Sequence, residues 1–252
     1  MKISLVQYNP AWENPAESIN KLNELLKEIP ESDVIIFPEL TLTGFTMSSE
    51  KFAEEEDGIS TSFFIALAAR LKKHIFAGII EKDGEHYYNN LVHFDKNGLI
   101  TARYRKIHPF SYADEDKFYS PGKELVITKI EKVRIGLTIC YDLRFPELYR
   151  KYTKEGIDIL LNIANWPVKR VAHWKALLKA RAIENQCYMI GVNRVGTDPF
   201  NEYSGCSGVY DPLGEELISV DSDEKVITIE IDTEYVGEIR TKLPFLNDMK
   251  LI

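Results

Sequence analysis

An α/β fold is predicted by three observations on this chain of 252 residues. Strand-like and helix-like stretches alternate from one end to the other. Apolar residues make up 44% of the sequence, enough for a sizeable core. No Gly/Ser-rich, Pro-rich or low-complexity stretch breaks the alternation. A single domain over 1–252 is therefore expected, with its core in about 1–232 and an irregular tail over about 233–252.

The elements follow in order. Lys2–Gln7 is an opening strand that Asn9-Pro10 ends. Asn14 is an N-cap with Pro15 at the first helical position. Ile19, Leu22, Leu25, Leu26 and Ile29 then recur at helical spacing. Asp33–Phe37 is a short apolar strand stopped by Pro38. A second helix covers Thr61–Lys72, with Phe64, Leu67, Ala68 and Leu71 on one face. Strands follow at His74–Glu81, Glu85–Asp95 and Leu99–Lys106, joined by turns at Lys82-Asp83-Gly84 and Lys96-Asn97-Gly98. In the second half, Lys132–Cys140 and Gly156–Ala164 are strands, and Pro146–Lys154 and Ala172–Gln186 are helices. Tyr188–Val195, Gly205–Tyr210, Glu216–Val220 and Lys225–Ile231 complete the strands. The acidic run Glu54-Glu55-Glu56-Asp57 reads as a solvated loop.

Bulk properties exclude several partners. A formal charge of −8 argues against nucleic acid or an anionic membrane surface. No apolar run approaches the ~18 residues of a membrane span, and none of signal-peptide length follows the first strand. Cys140, Cys187 and Cys206 are odd in number and widely spaced, so a disulfide framework is not expected and a cytoplasmic setting is the simplest. His and Cys never cluster at ligand spacing, so no metal site is expected.

Three phrases carry chemistry: Phe37-Pro38-Glu39-Leu40, Tyr104-Arg105-Lys106-Ile107-His108, and Ile139-Cys140-Tyr141-Asp142-Leu143-Arg144-Phe145-Pro146-Glu147. Each places one reactive side chain at the end of a strand, where α/β proteins build their sites. Cys140 sits at a sharp strand-to-helix turn, the mechanics of a nucleophile elbow. Local N–H groups and a nearby cation would favour its thiolate. Glu39 has the reach of a general base. Lys106 shares a strand face with Ala102 and Tyr104, away from Arg103 and Arg105. A lysine on that face needs a charge partner and suits a fixed cation that holds an oxyanion. Singly, each has an ordinary structural reading: a core cysteine, a loop glutamate, an edge-strand lysine. Cys187 and Cys206 keep that ordinary reading.

Together the phrases resemble the Glu–Lys–Cys triad of the nitrilase superfamily of carbon–nitrogen hydrolases. The likeness runs from Ile3 to about Asp232. It includes Asn165-Trp166-Pro167, Ala180-Arg181-Ala182-Ile183-Glu184-Asn185 and Asn193-Arg194-Val195-Gly196. The resemblance implies a four-layer α-β-β-α sandwich and a homodimer with helices such as Ala172–Gln186 near the interface. It implies that Cys140 attacks an amide carbonyl, that Glu39 moves the proton, and that Lys106 with the backbone N–H of Tyr141 holds the oxyanion. A thioester then forms and is hydrolysed without metal or organic cofactor. Many members carry a second glutamate after the lysine strand; Glu115, the only Glu between His108 and Asp116, fills that place. A Cys–His pairing with His108 or His173 is not adopted, because the lysine strand already has a role and His173 opens a helix.

Arg144 either grips a substrate carboxylate or pairs with Asp142 or Glu147. Trp166 forms an apolar wall, and Lys169 and Arg170 add positive potential. A small anionic amide follows. Within the superfamily the pattern is most similar to the ω-amidases, which deamidate 2-oxo dicarboxylic acid monoamides. An N-carbamoyl amino acid or ureido hydrolase is the nearest alternative. A nitrilase is disfavoured by Tyr141, where nitrile-hydrolysing members usually carry Trp. A catalytically silent interaction module and an acyl transferase remain open as other classes. Thr43–Ser49 and Ser111–Tyr119 are candidate lid segments.

Overall fold

Strands that are apolar on both faces need cover on both sides. Ile159–Ala164, buried at every position, is such a strand. The computed structural model, which describes residues 1–251, provides that cover with two stacked sheets and outer helices. The first half holds β1 (Lys2–Gln7), α1 (Pro15–Leu25), β2 (Val34–Ile36), α2 (Ser49–Phe52), α3 (Ile59–Leu71), β3 (His74–Asp83), β4 (His86–Phe94) and β5 (Ile100–Arg105). The second holds β6 (Ile127–Ile130), β7 (Val133–Ile139), α4 (Pro146–Lys154), β8 (Ile159–Ala164), α5 (Val171–Asn185), β9 (Tyr188–Asn193), β10 (Val195–Thr197), β11 (Glu202–Ser204), β12 (Gly208–Tyr210), β13 (Glu216–Ser219), β14 (Lys225–Glu230) and α6 (Tyr235–Lys242).

One sheet runs β14-β1-β2-β3-β4-β5 and the other β13-β12-β9-β8-β7-β6, with β10 and β11 as a separate hairpin. β1, β2 and β3 are mutually parallel, as are β7, β8 and β9. The sheets meet through Leu5, Ile36, Phe76 and Tyr104 on one side and Leu137, Ile139, Leu161 and Ile190 on the other. Leu22, Phe64 and Leu67 pack α1 and α3 on the outside of the first sheet, against Ile35, Ile75 and Val92. Leu148, Tyr152, Trp174 and Leu178 pack α4 and α5 on the outside of the second, against Leu160 and Met189. The layers are helix, sheet, sheet, helix, as the resemblance implied.

Local chemistry explains most boundaries. Asn14 caps α1 by accepting from Glu17 N at 3.2 Å, and Pro15 starts it. Three expectations are corrected. The tail is not irregular: α6 forms because Val236 and Ile239 are buried and Arg240 donates to the carbonyls of Ile157, Asn185 and Gln186 at 2.9–3.2 Å. Glu54 is not a solvated loop residue: its carboxylate accepts from Ser60 N at 2.9 Å and Thr61 N at 3.3 Å and so caps α3, while Glu55, Glu56 and Asp57 are exposed. The short β6 escaped pattern reading and exists through its pairing with β7.

His93 bridges the two sheets. It is buried in β4, hydrogen-bonded through Nδ1 to Thr128 of β6 and Thr101 of β5 at 2.7 Å, and through Nε2 to His74 at 3.0 Å. Burial first, then the neighbouring His74, pushes it down from 6.5 to about 3. A depressed histidine favours folding above its unfolded value and loses that advantage as pH falls towards the folded one. Between pH 6.5 and 3, stability is expected to drop with a contribution from His93 of about 1.4 kcal/mol per pH unit. Urea denaturation of the His93→Gln protein over this range should show a shallower pH slope than the parent.

Candidate active site

The ends of β7 and β8 open on a cavity of about 120 Å³, and the ends of β2 and β5 bring charged groups within reach of Cys140 on its wall. Glu39 follows β2, Lys106 follows β5, Cys140 follows β7 and Asn165-Trp166 follow β8. The sequence pattern placed Lys106 and Cys140 as last strand residues; each lies one residue beyond. Cys140 opens a 3₁₀ turn, Cys140–Arg144, with φ of 45°, a left-handed conformation costing a non-glycine residue about 1–3 kcal/mol. Leu40, beside Glu39, has φ of 44°.

Lys106, Glu39 and Glu115 form one buried cluster, each at most 1% exposed. Lys106 Nζ donates to Glu39 Oε1 at 2.9 Å and to Glu115 Oε1 and Oε2 at 3.0 and 2.8 Å. Asn89 Nδ2 donates to Glu39 Oε1 at 2.7 Å and to Glu115 Oε1 at 2.9 Å. Asn165 N donates to Glu39 Oε2 at 2.8 Å, and Phe110 N to Glu115 Oε2 at 2.5 Å. Burial acts to lower the Lys106 ammonium, but Glu115 and Glu39 outweigh it and hold it well above the usual lysine range. Lys106 therefore stays charged. Burial raises the Glu115 carboxyl against the pull of Lys106, with Glu39 adding to the rise.

Cys140 lines the cavity beside this cluster. Burial, and then the charge of Glu39, push its thiol well above the ordinary range despite Lys106. Against the expected thiolate, burial first and the Glu39 charge second favour the protonated thiol, and the Lys106 charge opposes them. A base must take that proton as the sulfur reacts.

Asp142 locks the elbow. Buried, it accepts from Ile139 N at 2.9 Å, Tyr104 OH at 2.8 Å and His108 N at 3.1 Å, and pairs with His108 Nδ1 at 2.7 Å. His108 also stacks on Phe145 at 3.8 Å. It thus ties the Lys106 strand to the cysteine turn, and no Cys–His pair forms with it. Arg181 of α5 donates to Leu143 O at 2.7 and 3.2 Å from the other side. Asn89, Asp142 and Arg181 were missed by sequence reading. Asp142 and Arg181 lie inside quoted phrases, which was the available signal; Asn89 had none beyond its place on a strand.

Close packing fixes Glu39. A Cβ on Gly78 would lie 2.3 Å from Leu40 N and 2.9 Å from Glu39 C. Gly78→Ala is expected to cost about 1–3 kcal/mol and to lower kcat by displacing Glu39. Unchanged kcat in that variant, with denaturation matching the parent, would contradict this packing role.

Arg144, Trp166 and Tyr141 line the same cavity, with Phe45, Phe110, Asn201 and Tyr203. Asp142 is fully engaged elsewhere, and the described residues give Arg144 no carboxylate partner; its guanidinium lies 4.7 Å over the Trp166 ring and its Nη2 is 3.3 Å from His173 Nδ1. Arg170 also lines the cavity, whereas Lys169 is exposed outside it. Both candidate lid segments contribute, through Phe45 and through Tyr112 and Ala113. Among the described residues, no group of three His, Cys, Asp or Glu could hold a metal, and no helix is long and apolar enough to cross a membrane.

The family model for carbon–nitrogen hydrolases matches residues 2–241. The chain belongs to the carbon–nitrogen hydrolase family. This carbon–nitrogen hydrolase is 36% identical over 251 residues to 2-oxoglutaramate amidase of Bacillus subtilis (strain 168), covering 98% of this chain and 97% of that one. It is 33% identical over 250 residues to omega-amidase YafV of Escherichia coli (strain K12), covering 98% and 96%. In structure it superposes with TM-score 0.95 and 33% identity on a CN-hydrolase superfamily protein of Xanthomonas campestris that carries an arsenic adduct in its active site, over 100% of this chain and 98% of that one. Nit3 of Saccharomyces cerevisiae, of the nitrilase superfamily, gives a TM-score of 0.87 at 25% identity, over 97% and 94%. This carbon–nitrogen hydrolase acts on amide C–N bonds.

Proposed function

We propose that this carbon–nitrogen hydrolase removes the terminal amide nitrogen of a small carboxylate-bearing amide, a 2-oxo dicarboxylic acid monoamide, through a Cys140 thioester. The observation that carries this reading is the placing of Cys140 and an unpaired Arg144 on one small cavity beside the Glu39–Lys106–Glu115 cluster. The names of the Bacillus and Escherichia relatives support the substrate class.

In the proposed sequence the Cys140 sulfur bonds to the amide carbon while Glu39 accepts the thiol proton. The negative oxygen is held by Lys106 and by the N–H of Tyr141, which lies in the first turn of the 3₁₀ segment and lacks an acceptor within it. Glu39 passes the proton to nitrogen, the C–N bond breaks and ammonia leaves. Water then attacks the thioester, Glu39 takes its proton and returns it to sulfur, and the acid departs. Glu115 keeps Lys106 in place. Arg144 grips the carboxylate of the substrate, and Trp166 forms the wall behind it.

A homodimer is part of the proposal: Ile183 of α5, next to Gly214, and Leu213 are 46% and 44% exposed and form an apolar surface for a second copy. The three cysteines are free, which suits a reducing cytoplasm. The test is ammonia release from 2-oxoglutaramate, an N-carbamoyl amino acid, glutamine and a nitrile, compared by kcat/KM. The 2-oxo amide should lead. A lead for the carbamoyl compound would overturn the substrate class.

A further inference from the structure

We propose that Arg170 is a specificity-determining residue that, together with Arg144, selects amides whose far end carries a carboxylate beside a neutral oxygen and rejects those with an ammonium group at that carbon. The inference rests on the amidase reading and goes further, to a residue and a rule of discrimination.

The cavity lining holds two guanidinium groups and no aspartate or glutamate. Among the described residues, the arginines in ion pairs are Arg103, Arg105, Arg181 and Arg194. Arg144 and Arg170 stand outside that set. Each is held by an aromatic face instead: Arg144 lies 4.7 Å over Trp166 and Arg170 5.4 Å over Phe110. A planar fork stacked on a ring keeps its N–H edge for a ligand. The two cations feel each other, for burial and then the Arg170 charge pull Arg144 below its usual value. Two like charges on one small cavity are relieved by an anion.

The neighbourhood adds to the field. Arg170 immediately precedes α5, whose first turn contains no acidic residue, so the positive end of the helix is not neutralised there. Asn201 and Tyr203 supply polar groups to the same lining. A 2-oxo acid presents three acceptor oxygens to these donors. The corresponding 2-amino acid puts a cation beside two guanidinium groups where no lining carboxylate balances it, and like charge there costs binding.

The test compares 2-oxoglutaramate with glutamine, which differ only at that carbon, in the parent, Arg170→Gln, Arg170→Lys and Arg170→Glu. The quantity read is the ratio of the two kcat/KM values within one protein, so any partly folded fraction cancels. The parent should favour the 2-oxo amide. Arg170→Gln should reduce the ratio about tenfold to a hundredfold, the loss of one charge-assisted contact. Arg170→Glu should reduce it further, and Arg170→Lys should keep most of it because the charge remains. An unchanged ratio in Arg170→Gln and Arg170→Glu, even with both rates lowered in common, overturns the inference alone. A parent that prefers glutamine overturns the inference and the substrate reading together.

Discussion

Replacing Lys106 with methionine is expected to destabilise the protein by about 3–5 kcal/mol and to lower kcat by about 10²–10³-fold. The stability loss follows from what remains. Glu39 and Glu115 are wholly buried, and Lys106 is the ammonium that both carboxylates contact. Asn89 offers each an N–H but no charge. The activity loss follows from removing a cation aimed at developing negative charge. The sign of the pH effect is fixed as well. Glu115 is already raised above 4.5 by burial, with the Lys106 charge holding it down. Without that charge its folded value rises further. A raised carboxyl keeps its stability below the unfolded value and loses it as pH climbs through the folded one. The gap between parent and variant should therefore widen from acidic to mildly alkaline buffer in urea denaturation. A constant gap would contradict the charge account. Lys106→Arg should not restore the parent, since a planar fork does not fit a site built around one point charge.

Glu39→Gln is expected to lower kcat/KM by about 10²–10⁴-fold, the range for a lost general base. Glutamine keeps the shape and can still accept from Asn165 N, so the fold should persist. The same substitution should have the opposite effect on simple alkylation. Glu39 is the leading charge that raises the Cys140 thiol, and Lys106 opposes it. With Glu39 neutral and Lys106 intact, the thiolate is favoured. Iodoacetamide should then label Cys140 in Glu39→Gln at least as fast as in the parent, and before Cys187, which is buried and pushed up to about 12. Slow alkylation together with slow turnover would point to a collapsed cavity and not to a missing base.

The parts legible in the sequence are those written in short local words. Phe37-Pro38-Glu39 and the Cys140 phrase each combine a strand end, a breaker and a reactive side chain, so position and chemistry are read together. The four layers are legible once the family resemblance is taken in, because alternation alone gives α/β and does not give the stacking of two sheets. What pattern reading missed depends on distant partners. Glu54 became a cap because Ser60 and Thr61 come back to it. α6 is a helix because Arg240 reaches carbonyls more than fifty residues away in sequence. Asn89 looks like any strand asparagine until β4 carries it between Glu39 and Glu115, which are 50 and 26 residues away. The resting state of Cys140 was misjudged for a related reason. Its protonation follows from burial first, and then from charges that the ends of β2 and β5 and the turn at Glu115 bring to it.

The most direct test of the account is ammonia release from 2-oxoglutaramate by a Cys140→Ala protein whose denaturation curve matches the parent. The account predicts no release above the uncatalysed rate, since Glu39, Lys106 and water alone provide no thioester route. Ammonia release by that variant at a rate near the parent's would contradict it.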